Sequence, residues 1–337
     1  MTAFERVSVI GAGAWGTALA IIAERSGRTA TLWARRAEHA ARIATDRENA
    51  DYFQGIELPA AIAVTGAGQR DFADALAADL VLYAQPAQHF RAFCRVARPI
   101  WRAGTPLLIC AKGIERETGY LLNEIAEAEL PQAKIAILSG PSFARDAAYG
   151  LPTAVVIAGR DEPMVEAAMA ALSNASFRPY GLSDTIGVEI AGAVKNVLAI
   201  ACGMVIGRGL GENARAALMA RGLAEMSRLA LAKGGRADTI MGLAGLGDLV
   251  LTCSSMTSRN MSLGVELGGG RPLAEILAAR ISIAEGVPTA GALATLAAKL
   301  GVDMPIGAAV LRILNDGTPI DDEVRALLAR PLKREAR

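Results

Sequence analysis

VSVIGAGAWGTALA, residues Val7 to Ala20, reads as a strand, a tight glycine turn and the start of a helix. Gly11, Gly13 and Gly16 fill a G-x-G-x-x-G spacing. In such a turn the first glycine bends the chain, the second lets the backbone approach a pyrophosphate, and the third lets the helix pack close to the strand. The N-terminus of the helix then offers free N–H groups to an anion. The stretch predicts a dinucleotide-binding βαβ unit at the start of the chain.

The end of the second predicted strand indicates which dinucleotide is preferred. Sites for NAD usually carry an acidic residue about twenty residues after the glycines, where it binds the ribose 2′-hydroxyl. Here the strand ends in Leu32-Trp33-Ala34-Arg35-Arg36, with two arginines in place of the acid. Arginine suits a 2′-phosphate through its charge and its bidentate fork. We expect NADP(H) to be favoured, with NAD(H) possible; the alternative is that both arginines are solvated charges at a helix start.

The first half of the chain alternates short apolar strands with amphipathic helices. This alternation is typical of an α/β fold with a Rossmann-like, doubly wound parallel sheet, which binds ligands where its strands end. The predicted strands are Val7–Ile10, Thr29–Trp33, Leu80–Tyr83, Pro106–Cys110, Ile135–Leu138 and Ala154–Ala158, and the predicted helices include Gly16–Arg25, Ala87–Val96 and Gly119–Glu129.

After about Tyr180 the pattern changes to long Ala-, Leu- and Met-rich segments with little strand signal, which predicts a C-terminal all-α domain. We place a dinucleotide-binding Rossmann domain at residues 1–180 and a helical substrate and catalytic domain at 181–337. Ser183 is the expected N-cap of the first helix. The predicted helices are Asp184–Ile206, Ala214–Lys233, Leu273–Ala279, Ala290–Leu300 and Ile306–Leu314.

Composition narrows the functional class. The 337 residues are 52% apolar and 20% charged, which indicates a folded protein of about two domains. The net charge of +1, without a long basic run, argues against nucleic-acid binding. No uncharged run reaches the ~18 residues of a membrane helix, and strand-like sequence at the N-terminus leaves little room for a signal peptide. We therefore expect a soluble cytoplasmic protein with no membrane span.

The four cysteines are far apart and show no metal-site spacing, so we expect buried reduced thiols and no metal.

Polar residues follow two predicted strands of the first half. Lys112 comes just after the strand PLLIC and would point into the binding crevice. In SGPSFARD, residues 139–146, Gly140 and Pro141 turn the chain, so that Ser142 and Ala144 would open a helix beside the cofactor. Each of these segments could equally be a surface turn.

GLAGLGDLVLTCSSMTSRN, residues 242–260, reads as a glycine-rich loop that ends in hydroxyls, an arginine and an amide. Asp248 is its only acid, and Ser258, Arg259 and Asn260 offer three kinds of donor in a row. Such a set suits a phosphorylated polyol. A flexible loop without a binding role explains the stretch nearly as well.

Lys195 lies in the small-residue helix AGAVKNVLAIACG, residues 191–203. No acidic residue lies three or four positions away, so its ammonium group needs a partner from elsewhere in the fold. We expect that partner to be Asp248 or a substrate oxygen. Ala191, Gly192 and Ala199 would leave a hollow for a three-carbon substrate. The alternative is a lysine that extends to the surface.

Together these stretches resemble the bacterial, soluble NAD(P)-dependent glycerol-3-phosphate dehydrogenases. The resemblance is carried, in order, by GAGAWGTALA, LWARR, CAKGIE, SGPSFA, EIAGAVKNVLAIACG, GLAGLGDLVLTC, SRN and AEGVPTA, which span residues 11–290. It implies interconversion of dihydroxyacetone phosphate and sn-glycerol 3-phosphate, the precursor of phospholipid head groups, with Lys195 as the catalytic general acid and base.

The resemblance also implies two sets of binding residues. The substrate contacts would be Lys112, Gly140, Ser142, Lys195, Asp248, Ser258, Arg259 and Asn260. The cofactor contacts would be Ala14, Trp15, Arg35, Arg36, Lys112, Ala144, Arg259, Ile283 and Glu285, in addition to Gly11, Gly13 and Gly16 of the turn.

Two positions depart from the family pattern. Ala14 stands where serine is frequent, which removes one hydroxyl from the pyrophosphate site, and Asp146 stands where glutamate is common. Two alternatives remain open at this point: another two-domain dehydrogenase, of the 3-hydroxyacid or 6-phosphogluconate type, and a non-catalytic NADP(H)-sensing module. The apolar helical half could also form the face of a homodimer.

Overall fold

The computed structural model describes residues 4–66, 68–280 and 283–332. Its N-terminal half contains one eight-stranded sheet with strand order β3-β2-β1-β4-β5-β6-β7-β8. The strands are β1 (Arg6–Ile10), β2 (Thr29–Ala34), β3 (Ala63–Gly66), β4 (Leu80–Tyr83), β5 (Pro106–Ile109), β6 (Lys134–Ser139), β7 (Thr153–Gly159) and β8 (Phe177–Leu182).

All neighbouring strands are parallel except β6 and β7. The predicted Rossmann-like, doubly wound sheet is confirmed and is mostly parallel, with β7 antiparallel to β6. A parallel return needs a long crossover, usually through a full helix, and between β6 and β7 the chain forms only the five-residue helix Ala144–Ala148. The order reverses between β1 and β4, which creates a crevice at the carboxyl ends of these strands.

All six predicted strands are present, and the sequence missed β3 and β8. β3 has four residues, and none of them is buried, so it lacks the apolar run of the buried strands β4 and β5. β8 contains Pro179 and Gly181, which weaken a strand pattern, and a proline is tolerated here because β8 is the last strand of the sheet.

Helices cover both faces of the sheet in this half. They are α1 (Ala14–Arg25), α2 (Ala37–Asp46), α3 (Ala50–Phe53), α4 (Gln69–Leu76), α5 (Phe90–Ala97), α6 (Leu122–Glu129), α7 (Ala144–Ala148) and α8 (Glu162–Leu172), with 3₁₀ turns at Ala87–His89 and Arg98–Ile100.

The C-terminal half is helical, as predicted. It contains α9 (Thr185–Gly207), α10 (Gly211–Lys233), α11 (Ala237–Met241), a π-helical turn (Leu243–Gly247), α12 (Asp248–Ser254), α13 (Arg259–Gly268), α14 (Leu273–Ala278), α15 (Gly286–Leu300), α16 (Pro305–Asp316) and α17 (Ile320–Leu328). The predicted boundary near residue 180 stays a prediction; β8 carries the sheet to Leu182 and α9 begins three residues later.

The long helix α9 lies at the centre of the helical half. It is apolar and long enough to span a membrane, but 89% of its most apolar 18-residue window is buried inside the protein. Ser183 was the predicted N-cap and this is wrong: the cap is Asp184, whose carboxylate accepts from the Gly187 N–H at 2.9 Å and from the Arg236 N–H at 2.8 Å. A carboxylate there also favours the positive end of the helix dipole.

Small residues let α13 approach α9 closely. A Cβ added to Gly203 of α9 would overlap the carbonyl oxygen of Met261, and one added to Gly264 of α13 would overlap that of Ile200. The apolar, small-residue character of α9 therefore serves helix packing, and it fixes Lys195 on a rigid element.

Candidate active site

The glycine turn after β1 has the geometry of a pyrophosphate site. Gly11 has φ +122°, a backbone conformation that other residues rarely adopt, and a Cβ at Gly16 would overlap the Gly11 carbonyl oxygen. A Cβ at Gly13 would meet no atom of the described residues within 4 Å. No described side chain caps the N-terminus of α1. The open space at Gly13 and the uncapped N–H groups fit the diphosphate of a dinucleotide.

Asn49 fastens this turn, and sequence reasoning missed it. Its Nδ2 donates to the Ala12 carbonyl at 3.0 Å and to Thr17 Oγ1 at 2.8 Å, while its Oδ1 lies 2.9 Å from His39 Nε2. The asparagine is 1% exposed. No sequence signal pointed to it, because its partners lie far away along the chain.

The other predicted contacts of the dinucleotide surround the turn. Ala14 is the first residue of α1, and the indole Nε1 of Trp15 is buried without a hydrogen-bond partner in the described ranges. Arg35 and Arg36 follow β2 and are both exposed. Arg36 Nη2 lies 3.7 Å from Asp51 Oδ2. The two arginines therefore stand where the edge of the crevice is open to solvent.

A buried carboxylate joins two lysines in the crevice. Lys195 Nζ donates to Asp248 Oδ1 at 2.5 Å and to Thr252 Oγ1 at 3.0 Å. Lys112 Nζ donates to the other oxygen, Oδ2, at 2.7 Å and to the Gly140 carbonyl at 3.1 Å. The partner that Lys195 lacked on its own helix is thus Asp248, as expected.

The charged groups of this cluster shift one another's pKa values. Burial lowers the pKa of Lys195 to about 8, with the Asp248 carboxylate opposing the shift and the Lys112 ammonium adding to it. Burial also opposes the charge on Asp248, but the two ammonium groups keep the pKa of its carboxyl below the usual value. Lys195 is therefore a cation that can release a proton near neutral pH.

Most of the segment 242–260, predicted as a glycine-rich loop, is helical: the π-helical turn and α12 cover residues 243–254, and α13 begins at Arg259. The loop prediction is wrong there, and only residues 255–258 connect α12 to α13 without helical structure. A Cβ at Gly245 would overlap the Ile240 carbonyl oxygen, so glycine allows the π-helical turn to pack tightly against α11. α12 then begins at Asp248, and Thr252 lies one turn later on the same face. The i, i+4 spacing of Asp248 and Thr252 was the signal that could have identified Thr252.

The segment after β6 supplies a backbone acceptor to the site. Gly140 has φ +130°, and its carbonyl accepts from Lys112 Nζ and, at 2.9 Å, from Ser142 Oγ. The predicted helix is present, but it begins at Ala144. Gly140, Ser142 and Lys112 thus meet at one point.

The Ser-Arg-Asn triplet begins α13. Ser258 is 4% exposed and its Oγ accepts from the Met261 N–H at 3.2 Å, which makes it the N-cap. Asn260 donates to Asn196 Oδ1 at 2.9 Å and accepts from the Gly286 N–H at 2.9 Å. Its amide therefore ties α13 to α9 and α15 and leaves one N–H for other partners.

Asn196 extends this contact towards Lys112. Its Nδ2 lies 3.3 Å from the Lys112 carbonyl and 3.2 Å from that of Gly192. Asn196 directly follows Lys195 in the sequence, and the sequence analysis assigned it no role.

Arg259, Ile283 and Glu285 lie at the open side of the site. Arg259 and Ile283 are exposed. Burial raises the pKa of Glu285 to about 7, with the charge of Arg259 opposing the shift. The Glu285 Oε2 atom has no hydrogen-bond partner among the described residues. The exposed guanidinium of Arg259 can bind a ligand anion.

The predicted hollow beside Lys195 is not formed by Gly192. A Cβ there would lie 3.2 Å from Ser139 Oγ and 3.4 Å from Lys112 Cγ, so the stem of Lys112 fills that space. Ala191 and Ala199 are fully buried in the helical core. The small residues of α9 admit neighbouring side chains and not a substrate.

Comparison with known proteins identifies the family. Residues 6–165 match the model of the N-terminus of NAD-dependent glycerol-3-phosphate dehydrogenase, and residues 184–325 match the model of its C-terminus. The chain belongs to this family. The resemblance drawn from the eight sequence motifs is thereby confirmed.

Full-length relatives agree with the family models. The glycerol-3-phosphate dehydrogenase [NAD(P)+] of Parvibaculum lavamentivorans is 50% identical over 99% of both chains. That of Rhodospirillum rubrum is 50% identical over 98% of this chain and 94% of its own. The crystal structure of glycerol-3-phosphate dehydrogenase from Coxiella burnetii superimposes with a TM-score of 0.92 at 36% identity, covering 97% of this chain and 99% of that one.

The chain is thus an NAD(P)-dependent dehydrogenase of the glycerol-3-phosphate family, which removes the basis for assigning it to the 3-hydroxyacid or 6-phosphogluconate type. Its four cysteines are buried free thiols, as expected.

Proposed function

We propose that this protein interconverts dihydroxyacetone phosphate and sn-glycerol 3-phosphate, with Lys195 as general acid and base. The observation that carries the proposal is the buried Lys195–Asp248–Lys112 cluster, which lies at the sheet edge that also bears the glycine turn. A positioned ammonium group of lowered pKa is what a carbonyl reduction requires from the protein.

Lys195 moves the proton. Its Nζ polarises the ketone oxygen and then donates a proton to it, and the same group accepts that proton in the reverse direction. A reduced nicotinamide, when bound, supplies the hydride for C2 of the ketone. Asp248 and Thr252 hold Nζ from two sides, so that the ammonium is aimed before the substrate arrives.

Two lysines share one carboxylate, so the cluster carries a net positive charge. This charge stabilises the oxyanion that develops on the substrate. Lys112 is held by Gly140 and Asp248 and contacts the substrate and cofactor from the opposite wall. Arg259 grips the substrate phosphate, and Ser258 and the free N–H of Asn260 fix its register, with Ser142 beside Gly140.

NADP(H) is the favoured cofactor and NAD(H) a possible one. Gly11, Gly13, Gly16 and the backbone N–H groups of Ala14 and Trp15 hold the diphosphate, while Arg35 and Arg36 meet a 2′-phosphate. Ala144, Ile283 and Glu285 complete the cofactor contacts. Initial rates with NADH and NADPH in parallel measure this preference.

In the cell, the enzyme would supply glycerol 3-phosphate for glycerophospholipid synthesis in the cytoplasm. It acts without a metal, and its helical half forms the face of a homodimer. Sedimentation of the purified chain tests the last point.

The decisive experiment follows the near-ultraviolet absorbance of NADPH after addition of dihydroxyacetone phosphate. We expect absorbance to fall at a rate proportional to enzyme concentration. A chain that binds NADPH tightly but never consumes it with this substrate would instead be a cofactor sensor. Glyceraldehyde 3-phosphate, which has an aldehyde in place of the ketone, is the matched control for substrate identity.

A further inference from the structure

We propose that Asp51 is a cofactor-specificity residue that weakens binding of a 2′-phosphate without affecting a nucleotide that lacks one. The inference rests on the proposed function, because it concerns the dinucleotide site at the end of β2. It assigns to Asp51 a role of its own, in opposition to the neighbouring arginines.

Nitrogen atoms of three side chains lie within 4 Å of one carboxylate oxygen of Asp51. Asp51 Oδ2 lies 2.5 Å from Arg42 Nη2, 3.7 Å from Arg36 Nη2 and 3.9 Å from His39 Nε2. Nitrogens converging on one oxygen in this way make an anion site, and here the anion belongs to the chain itself. A 2′-phosphate at Arg36 must compete with this carboxylate for the guanidinium.

The carboxylate is fixed in position relative to the nucleotide. α3, which carries Asp51, begins directly after Asn49, and Asn49 is bonded to the Ala12 carbonyl in the glycine turn. His39 is bonded to Asn49 and its ring packs edge-on against Tyr52 at 5.6 Å. Asp51 therefore cannot move far when a nucleotide occupies the turn.

The carboxylate of Asp51 is accessible enough to repel a phosphate group that approaches from solvent. The side chain of Asp51 is 30% exposed, and those of Arg36 and Arg42 are 59% and 58% exposed. A phosphate that contacts Arg36 comes within a few ångströms of Asp51, where two like charges repel each other. A ribose 2′-hydroxyl carries no charge, so it escapes this penalty.

The test measures binding of two nucleotide fragments by isothermal titration calorimetry. The probes are adenosine 2′,5′-bisphosphate and adenosine 5′-monophosphate, which differ only in the 2′-phosphate. For Asp51→Asn we expect the bisphosphate to bind about fivefold more tightly than it binds the wild type. The affinity for the monophosphate should change by less than about twofold, since its 2′-hydroxyl carries no charge for Asp51 to repel.

Asp46→Asn is the matched control. Asp46 is an exposed carboxylate at the C-terminal end of α2, and Arg36 lies at the N-terminal end of that helix. This substitution changes the net charge equally and should leave both affinities within about twofold. In an Arg36→Ala background the gain from Asp51→Asn should shrink, because the guanidinium for which both anions compete is gone. Asp51→Ser gives the same expectation should the asparagine variant fold poorly.

Equal changes for both probes, or weaker binding of the bisphosphate to Asp51→Asn and Asp51→Ser, would overturn the inference and make Asp51 a support for the arginines. Failure of the wild type to bind either probe would overturn the cofactor assignment in the proposed function, and this inference with it.

Discussion

Two of the buried carboxyl groups in the helical half, those of Asp248 and Glu225, have surroundings that shift their pKa values in opposite directions. Asp248 lies between the ammonium groups of Lys195 and Lys112. Glu225 of α10 instead accepts the backbone N–H groups of Ile306, at 2.8 Å, and Gly307, at 3.3 Å. Burial opposes the charge on both, yet the pKa of Asp248 is below its usual value whereas burial raises that of Glu225 to about 7.

The difference shows that depth alone does not decide whether a carboxylate keeps its charge. Two cations offset the desolvation of Asp248, while two neutral N–H groups do so only in part for Glu225. The first arrangement is suited to chemistry, because it keeps charges poised in a dry crevice. The second satisfies the N-terminus of α16 and is suited to holding two helices together.

Removing Lys195 should have the largest effect. Lys195→Met keeps the apolar stem and removes the proton donor, so we expect kcat to fall by about 10²–10⁴-fold. NADPH affinity, measured by quenching of tryptophan fluorescence, should stay within about threefold, because the cofactor turn is untouched. Near-full turnover would show that another group donates the proton.

Lys134→Met is the control for that substitution. Lys134 lies at the start of β6, at the edge of the sheet opposite the crevice. Its loss should leave kcat within about twofold.

Neutralising Asp248 should damage both stability and turnover. Asp248→Asn leaves two buried ammonium groups without a counter-charge, which we expect to cost about 3 kcal/mol of unfolding free energy in urea. We expect kcat to fall by about 100-fold, since Nζ of Lys195 is no longer aimed. A variant as stable and active as the wild type would mean that the two lysines do not depend on this carboxylate.

The pH dependence of catalysis should report the titration of Lys195. Ketone reduction needs the protonated amine, whose pKa is about 8, so kcat should fall as pH rises through that value. The reverse oxidation needs the free amine and should rise over the same range. Lys112→Met removes a neighbouring cation and should move both limbs to higher pH; unmoved limbs would argue that a different group titrates.

The smallest effect is expected at Glu225. Its folded pKa of about 7 lies above the usual value, so its neutral form favours folding, and the contribution is lost as pH rises towards and through about 7. Glu225→Gln should make unfolding free energy less dependent on pH, by about 2 kcal/mol between about pH 5 and about pH 8. An unchanged slope would indicate that Glu225 stays charged in the folded protein.

Local patterns in the sequence predicted much of the fold and part of the site. The strand, turn and helix around Gly11 depend on neighbours in the chain, and so do the six predicted strands. Lys195 was identified as a candidate because burying a lysine without an acidic partner on its helix costs free energy. Asp248 was identified because it is the only acid in its segment.

Features set by distant contacts were missed or misread. The sequence of the π-helical turn at Leu243–Gly247 resembles that of a loop because it is rich in glycine. Glycine is required there for close packing against Ile240 and not for a bend in the chain. The hollow expected at Gly192 is filled by Lys112, which follows β5 in the N-terminal half of the chain. Asn49 has no motif of its own, and its partners at Ala12 and Thr17 lie more than thirty residues away in the sequence.

The sequence by itself determined the dinucleotide turn, the division into a sheet and a helical half, and the family, because each depends on residue types at short or ordered spacings. Only the tertiary structure decided that Asp248 bridges two lysines, that Asn49 secures the glycine turn, and that Asp51 faces the arginines after β2. Those pairings join residues that are distant in sequence, and a charge or an amide acquires its role from the atoms that folding brings within a few ångströms.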